Sequence, residues 1–473
     1  MNRQAVRASR PALAPPGPRC YTRTAMERDL TKGGIAANLL AMSLPTLFGH
    51  LAQTLYDLVD LYWIGRLSDA SAAVAGFTIF AQLMWTIEIL NEIIGISSVS
   101  LISQSYGAGR LQRTRTVIEQ TLVFKALVAL AAGLLGFAIL RPVVRFYSRD
   151  AKVLDAALRY GVIRILALPL MFCSYTVHTA LRSIGDAKTP MLILTFASVL
   201  NIVLDPLFMF DPMPVLGIPG LGLGIFGASL ATVISVGLSL GLGLWFLYSG
   251  KSRVRLSWRG LLRLEPAIDR RLLTIGLPAG AEMLVRNGAQ AIVLKLTALF
   301  GTPALAALGI VFRLFGFGLM PLLGLHMGAG AMAGQNLGAE KLDRVQAASR
   351  AAVLAGLACM AALGALGWAF AAPLLRLFSA DPQIVRLAVP FLRVFCVALL
   401  FTACTFGWGS VFSGAGYNLP FLISSLAAKF GFQVPFLLLA LRVFGAPVQT
   451  VWLSFLGLSL IHISEPTRLL SIS

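Results

Sequence analysis

Twelve runs of mainly apolar residues, most of them long enough for a helix to cross a bilayer, recur along this 473-residue chain. A spanning helix takes about 20 such residues, and no soluble fold accommodates a dozen of them. The runs fall near 36–63, 73–99, 116–140, 156–180, 190–210 and 222–248, then near 272–299, 304–332, 347–372, 384–412, 419–441 and from 447 onward. Composition agrees: 57% of residues are hydrophobic and 12% charged, whereas soluble domains carry roughly 25% charged residues. The mean hydropathy is +0.81. The chain reads as an all-α integral membrane protein with twelve transmembrane helices. No segment alternates with period two, so a β-barrel is not supported.

Lys and Arg outnumber Asp and Glu by 39 to 20, an excess that in a soluble chain suggests a nucleic-acid or anionic partner. Here its placement explains it. Counting alternate inter-span segments from the N-terminus, one set holds 22 Lys and Arg and the opposite set 8. Basic residues accumulate in cytoplasmic loops, so the N-terminus is expected in the cytoplasm and no nucleic-acid partner is expected. The cysteines and histidines are scattered without metal-ligand spacing, and no metal centre or organic cofactor is expected.

The two halves repeat. Leu44-Pro45 returns as Leu277-Pro278, Gln104-Ser-Tyr-Gly-Ala-Gly-Arg-Leu111 as Gln335-Asn-Leu-Gly-Ala-Glu-Lys-Leu342, and Pro190-Met-Leu-Ile193 as Pro420-Phe-Leu-Ile423. Each unit holds six spans, so both enter from the same side and a pseudo-two-fold along the membrane normal relates them. Parallel repeats of this kind build transporters. The expected organisation is a cytoplasmic N-terminal segment over 1–35, an N-lobe over 36–248, a basic cytoplasmic linker over 249–271 and a C-lobe over 272–457. Residues 1–25 precede Met26, which reads like a natural start. Residues 458–473 resemble a translated sequencing adapter, a non-native tail that truncates the twelfth span near Gly457.

Ionisable groups inside spans cost roughly 2.5–3.5 kcal/mol each, so those present point to function. The first half offers Asp57 and Asp60 on span 1, Glu88 and Glu92 on span 2, and Asp205 on span 5; the second half offers Glu282 alone. Asn201 and Asp205 lie four apart on one helix face, and Pro206 follows. Pro45 and Pro278 hold equivalent places in spans 1 and 7 as candidate kinks. In the second half the buried charges are expected to be basic: Arg286, Lys295, Arg313, Arg393 and Lys429. Glycines of span 8, from Gly309 to Gly330, permit close helix approach. Tyr56, Tyr62, Trp63, Trp85, Phe312, Phe315, Phe317, Trp408 and Phe412 form a candidate aromatic lining. Tyr56, Glu88, Glu92, Glu282, Arg286 and Arg313 are the candidate cavity residues.

These segments resemble the multidrug and toxic compound extrusion (MATE) transporters, most closely their prokaryotic DinF-like branch. The resemblance rests on Leu58-Val-Asp-Leu-Tyr-Trp-Ile-Gly-Arg-Leu67, Gln104-Ser-Tyr-Gly-Ala-Gly-Arg110, Leu181-Arg-Ser-Ile-Gly-Asp-Ala-Lys-Thr-Pro190, Asn201-Ile-Val-Leu-Asp-Pro206 and Gly227-Ala-Ser-Leu-Ala-Thr232, and spans about residues 26–457. It implies two six-helix lobes around a central cavity, in a monomer of the bacterial inner membrane that is a transporter and not an enzyme. It further implies export of lipophilic, often cationic compounds against entry of protons or sodium, with the ion held at Asp60, Asn201, Asp205 and Thr232 and a bending first helix at Pro45. The C-lobe ion site of the NorM-like branch is not carried over, because its helix 7 position holds Arg286 and helix 10 has no acid. A competing reading is a lipid-linked precursor flippase of the same superfamily, with Arg286, Lys295 and Arg313 holding a pyrophosphate. No P-loop motif is present to couple transport to ATP.

Overall fold

The computed structural model describes residues 27–214, 217–261 and 263–457, so the expectations for residues 1–25 and 458–473 lie outside the described residues. Among the described residues there is no strand. Seven helices build the N-lobe: α1 (Ile35–Ile64), α2 (Ala70–Gly107), α3 (Leu111–Tyr147), α4 (Ala151–Leu166), α5 (Leu168–Ser183), α6 (Lys188–Met209) and α7 (Ile225–Tyr248). A short α8 (Trp258–Leu261) lies in the connection. The C-lobe holds α9 (Pro266–Thr297), α10 (Thr302–Gly338), α11 (Leu342–Ala369), α12 (Ala371–Arg376), α13 (Pro382–Ala415), α14 (Leu419–Leu426) and α15 (Val434–Arg442). Among the described residues ten helices are long and apolar enough to cross a membrane, or eleven with the bent pair taken as one span. The twelfth run is helical over 449–457, where the described residues end. Leucines of α3 such as Leu134 and Leu135 are more than 60% exposed, the surface expected of a helix whose solvent is lipid.

Three local departures from the sequence expectation have physical causes. The run read as one span over 156–180 is two helices, α4 and α5, bent by 53°. The break at Ala167 precedes Leu168-Pro169, and a proline both lacks an amide and pushes its predecessor out of helical geometry. The run over 419–441 contains a π-helical stretch, Ala427–Gln433. It directly precedes Val434-Pro435, where the missing amide of Pro435 withdraws the donor owed to Gly431 and the backbone changes register. Third, α9 starts at Pro266, inside the stretch assigned to the linker.

Packing divides the molecule into two unlike ends. Two buried apolar clusters each belong to one lobe: one runs from Ile64 through Tyr160 to Ala228, the other from Val293 through Phe391 to Trp452. The other two clusters mix the lobes. Leu39 and Met42 of α1 pack with Leu325 and Met332 of α10, and Ile89 and Ile93 of α2 pack with Ile268 and Leu272 of α9. All these mixed contacts lie toward the end of the molecule that carries residues 27–34 and the connection between lobes. The lobes are therefore sealed together at that end and independent at the other.

The seal follows the repeat. Helices α2 and α10 approach so closely that a Cβ on Gly107 would strike the backbone of Gln335, and one on Gly338 would strike the backbone of Gln104. Gly324 and Gly328 likewise admit Ser43 of α1. The two equivalent glutamines then reach across in opposite directions. Gln104 Nε2 donates to Gly414 O at 2.8 Å, and Gln335 Nε2 donates to Ser183 O at 2.8 Å. Residues 27–34 strap the same seam: Arg28 N donates to Gly185 O, Asn336 Nδ2 to Leu30 O, and Lys341 Nζ to Thr31 O. The turn after each glutamine needs a left-handed residue, which is Gly109 (φ 72°) in one repeat and Glu340 (φ 58°) in the other.

Gln104→Ala and Gln335→Ala each strand carbonyls at this seam and should cost about 1–3 kcal/mol, whereas Gln112→Ala, which is exposed, should stay within about 0.5 kcal/mol. Glu340→Gly should stabilise by about 1 kcal/mol by relieving the left-handed backbone. Thermal unfolding in detergent, followed by tryptophan fluorescence, reads all four.

Candidate functional site

At the end where the lobes are independent, four polar side chains of the N-lobe converge inside apolar surroundings. Asp60 comes from the last turn of α1, Asn201 and Asp205 from one face of α6, and Thr232 from α7; all are at most 4% exposed. Tyr160 of α4 donates its hydroxyl to Asp60 Oδ2 at 3.2 Å. Asn201 Nδ2 donates to Asp205 Oδ1 at 3.3 Å and reaches Thr232 Oγ1 at 3.5 Å, while Thr232 donates to Ala228 O one turn back. Asp60 Oδ1, Asn201 Oδ1 and Asp205 Oδ2 are buried with no hydrogen-bond partner. Pro206 adds a further oxygen, because it has no amide for the carbonyl of Ile202.

Buried oxygens without donors are costly unless something supplies positive charge. Hard cations take oxygen ligands of this kind, and a proton satisfies a carboxylate equally well. The donor set fits either ion. One fixed cation stands nearby: Arg164 of α4 is within electrostatic reach of Asp57, Asp60 and Asp205, but its Nε has no partner and its guanidinium lies 5.8 Å from the Tyr160 ring centre. Tyr56 shares this neighbourhood. Pro45 lies in the half of α1 held by the seal, and α1 runs unbroken through it. Tyr160 and Arg164 escaped the sequence reading, which weighed the insertion cost of acids in the first half but not of bases. The same cost argument applied to Arg164 in its apolar run would have found it.

A second polar group occupies the middle of the N-lobe. Glu88 Oε2 accepts from Asn91 Nδ2 at 2.8 Å, Asn91 Oδ1 accepts from Lys125 Nζ at 2.6 Å, and Glu92 Oε2 accepts from the Tyr175 hydroxyl at 3.2 Å. In the C-lobe, Glu282 is buried and accepts from Ser425 Oγ at 3.1 Å, with Lys429 in electrostatic reach. The expectation that buried bases belong to the second half is corrected. Arg286, Lys295, Arg313 and Arg393 are exposed and Lys429 is half-buried, whereas the fully buried lysine is Lys125 of the first half. Long basic side chains in spans escape the insertion cost by snorkelling; Lys125 does not. Arg286 lies near Lys429, away from the acid group of the N-lobe. The aromatic lining is also corrected for Phe312 and Phe315, which stack edge-on against Phe395 inside the C-lobe core.

The repeat agrees with what the chain is similar to. The MatE family model matches residues 45–207 and again residues 278–439, so that the two matches begin at Pro45 and Pro278. The chain belongs to the MatE family. Its members are transporters rather than enzymes. Among MatE relatives, the chain is 27% identical over 410 residues to a probable multidrug resistance protein, YpnP of Bacillus subtilis, covering 86% of this chain and 89% of that one. It is also 27% identical over 369 residues to an FAD transporter of Shewanella oneidensis, covering 76% and 77%. The fold matches a solved outward-facing multidrug resistance MATE transporter of the MOP superfamily with a TM-score of 0.83 at 22% identity, covering 94% of this chain and 97% of that one. The twelve-helix, two-lobe architecture is that of this MatE fold.

Tyr160→Phe removes the donor that Asp60 has and should cost about 1.5–3 kcal/mol. Tyr62→Phe, exposed at the same end of α1, should cost under about 0.5 kcal/mol. Parallel thermal melts of the two variants check the difference.

Proposed function

We propose that this MatE protein is a secondary active antiporter that exports lipophilic, cationic compounds across the bacterial inner membrane against entry of protons or sodium. The observation that carries this reading is the set of buried donorless oxygens on Asp60, Asn201 and Asp205, beside Thr232, at the end of the N-lobe that the C-lobe does not cover. Such a site trades ions with the side it faces. With the basic loops and the N-terminus in the cytoplasm, that side is outside, and the seal at Gln104 and Gln335 closes the cytoplasmic end. The relatives' names, multidrug resistance and multidrug export, support the substrate class. No cofactor is required, the partners are the bilayer, the coupling ion and a small molecule, and one chain suffices.

Neutralising Asp60 and Asp205 by an ion lowers the cost of holding two carboxylates together in a low-dielectric site. The loaded and unloaded N-lobe therefore favour different helix arrangements, and α1 connects the site to the seal through Pro45. A second reading, an anionic substrate such as a flavin nucleotide or a lipid pyrophosphate, is favoured by the exposed Arg286 and Arg313 of the C-lobe and by the FAD-transporting relative.

In inverted vesicles, Asp60→Asn and Asp205→Asn should abolish gradient-driven uptake of a fluorescent cationic dye at normal expression, and Asn201→Ala should weaken it less. Normal uptake in both aspartate variants would remove the assignment. Flavin nucleotide uptake that needs Arg286 and Arg313, with no dye uptake, would establish the second reading. Proton and sodium gradients imposed separately identify the ion.

A further inference from the structure

Lys125 is a fully enclosed base of the N-lobe. None of its surface is exposed, and it makes no ion pair among the described residues. An ammonium offers three donors, and here one is taken, by Asn91 Oδ1 at 2.6 Å. The Tyr175 ring lies 4.4 Å from Nζ as a cation–π partner. Gly95 completes the enclosure, since a Cβ there would come within 2.7 Å of the Tyr175 ring and 3.5 Å of Nζ.

The two neutral partners of Lys125 each lead to a carboxylate. Asn91 also donates to Glu88, and Tyr175 also donates to Glu92. Glu88 and Glu92 lie one turn apart on α2, both half-buried, and both act electrostatically on Lys125. The arrangement is a reachable pair of carboxylates with a sealed ammonium behind them, separated by two spacers that prevent direct ion pairing. The other charged or titratable groups facing it are His50 of α1 and Cys173, His178 and Arg182 of α5. Groups from α2, α3 and α5 converge on Glu92, so its open side faces the interior of the N-lobe rather than lipid.

We propose that Glu88 and Glu92 receive the cationic group of the substrate, and that Lys125 gives up its proton when they do. A buried ammonium persists only while nearby negative charge compensates it. A substrate cation seated on the two carboxylates takes over that compensation. The Lys125 ammonium then becomes an amine, still able to donate to Asn91, and its proton leaves to the water that reaches Glu92. Departure of the substrate restores the negative charge, and Lys125 takes a proton back. Arg182 stays charged throughout, because a guanidinium does not deprotonate in proteins. One proton is thereby exchanged for one substrate cation at a place separate from Asp60 and Asp205. The inference rests on the cation-export reading and deepens it.

The test is calorimetry of tetraphenylphosphonium binding to the purified full-length protein, repeated in buffers of different ionisation enthalpy to count protons released. Glu92→Gln and Lys125→Arg should each release about one proton fewer than the unaltered protein, by linkage. Lys125→Arg is the sharper variant, since it keeps the charge and removes the dissociable proton. If the larger guanidinium prevents folding, Glu92→Gln decides alone. An unchanged proton count in the folded variants, or no binding of the cation by the unaltered protein, overturns the proposal. Transport in Asp60→Asn and Asp205→Asn separates the two claims: intact gradient-driven export in both variants removes the aspartate ion site, while the proton count at Lys125 is still read independently of transport.

Discussion

The close crossing of α2 and α10 on the pseudo-two-fold is the contact from which the rest of the architecture follows. Gly107 and Gly338 bring two helix backbones into contact, and Gln104 and Gln335 bond across the seam to Gly414 and Ser183. In lipid there is no hydrophobic drive to hold helices together, so small residues and interhelical hydrogen bonds must supply the association. Concentrating both at one end ties the lobes there and leaves their other ends free. The strap of residues 27–34 adds hydrogen bonds to the same seam, and the mixed apolar clusters lie beside it.

That division explains why charge inside the protein is so unequally distributed. Most interlobe contacts occupy the sealed end, and the donorless oxygens of Asp60, Asn201 and Asp205 sit within the N-lobe at the open end. An ion there meets one lobe only, and its effect on the other lobe must travel along α1, whose near half contacts α10. The fixed charges sit as a series: Arg164 near the aspartates, then Lys125 and Arg182 deeper in the N-lobe. A lobe that carries both carboxylates and enclosed cations can change its charge state without ever holding a large net charge in low dielectric. Among the described residues the C-lobe has a single buried acid, Glu282, and surfaces of exposed arginine.

Much of this was legible in the sequence because membrane proteins are written in few rules. Span length and the order of repeated motifs gave the spans and the two halves, the cost of intramembrane acids drew attention to five first-half carboxylates, and the family resemblance singled out Asp60 and Asp205 among them. The bend between α4 and α5 and the π-helical turn before Pro435 were not read, since both runs are continuously apolar and hydropathy does not register a proline's missing amide. Arg164 and Lys125 were missed for a different reason. Long basic side chains in spans ordinarily snorkel, and only the packing of α2, α3 and α5 shows that Lys125 has no route to the surface. The glutamines of the repeat were visible as a motif, but their reciprocal bonding needs both lobes in place.

The measurement that bears most directly on this account is the distance between the open ends of the lobes, read by double electron–electron resonance from spin labels at Ser68 and Thr302. On the proposed function, acidification, or sodium if sodium is the coupling ion, should load the Asp60 and Asp205 site and shorten that distance in the unaltered protein. The same labels in an Asp205→Asn background should not respond. A distance indifferent to both ions, or one that shortens equally in the Asp205→Asn protein, would contradict the claim that the buried oxygens of the N-lobe govern how the two lobes meet.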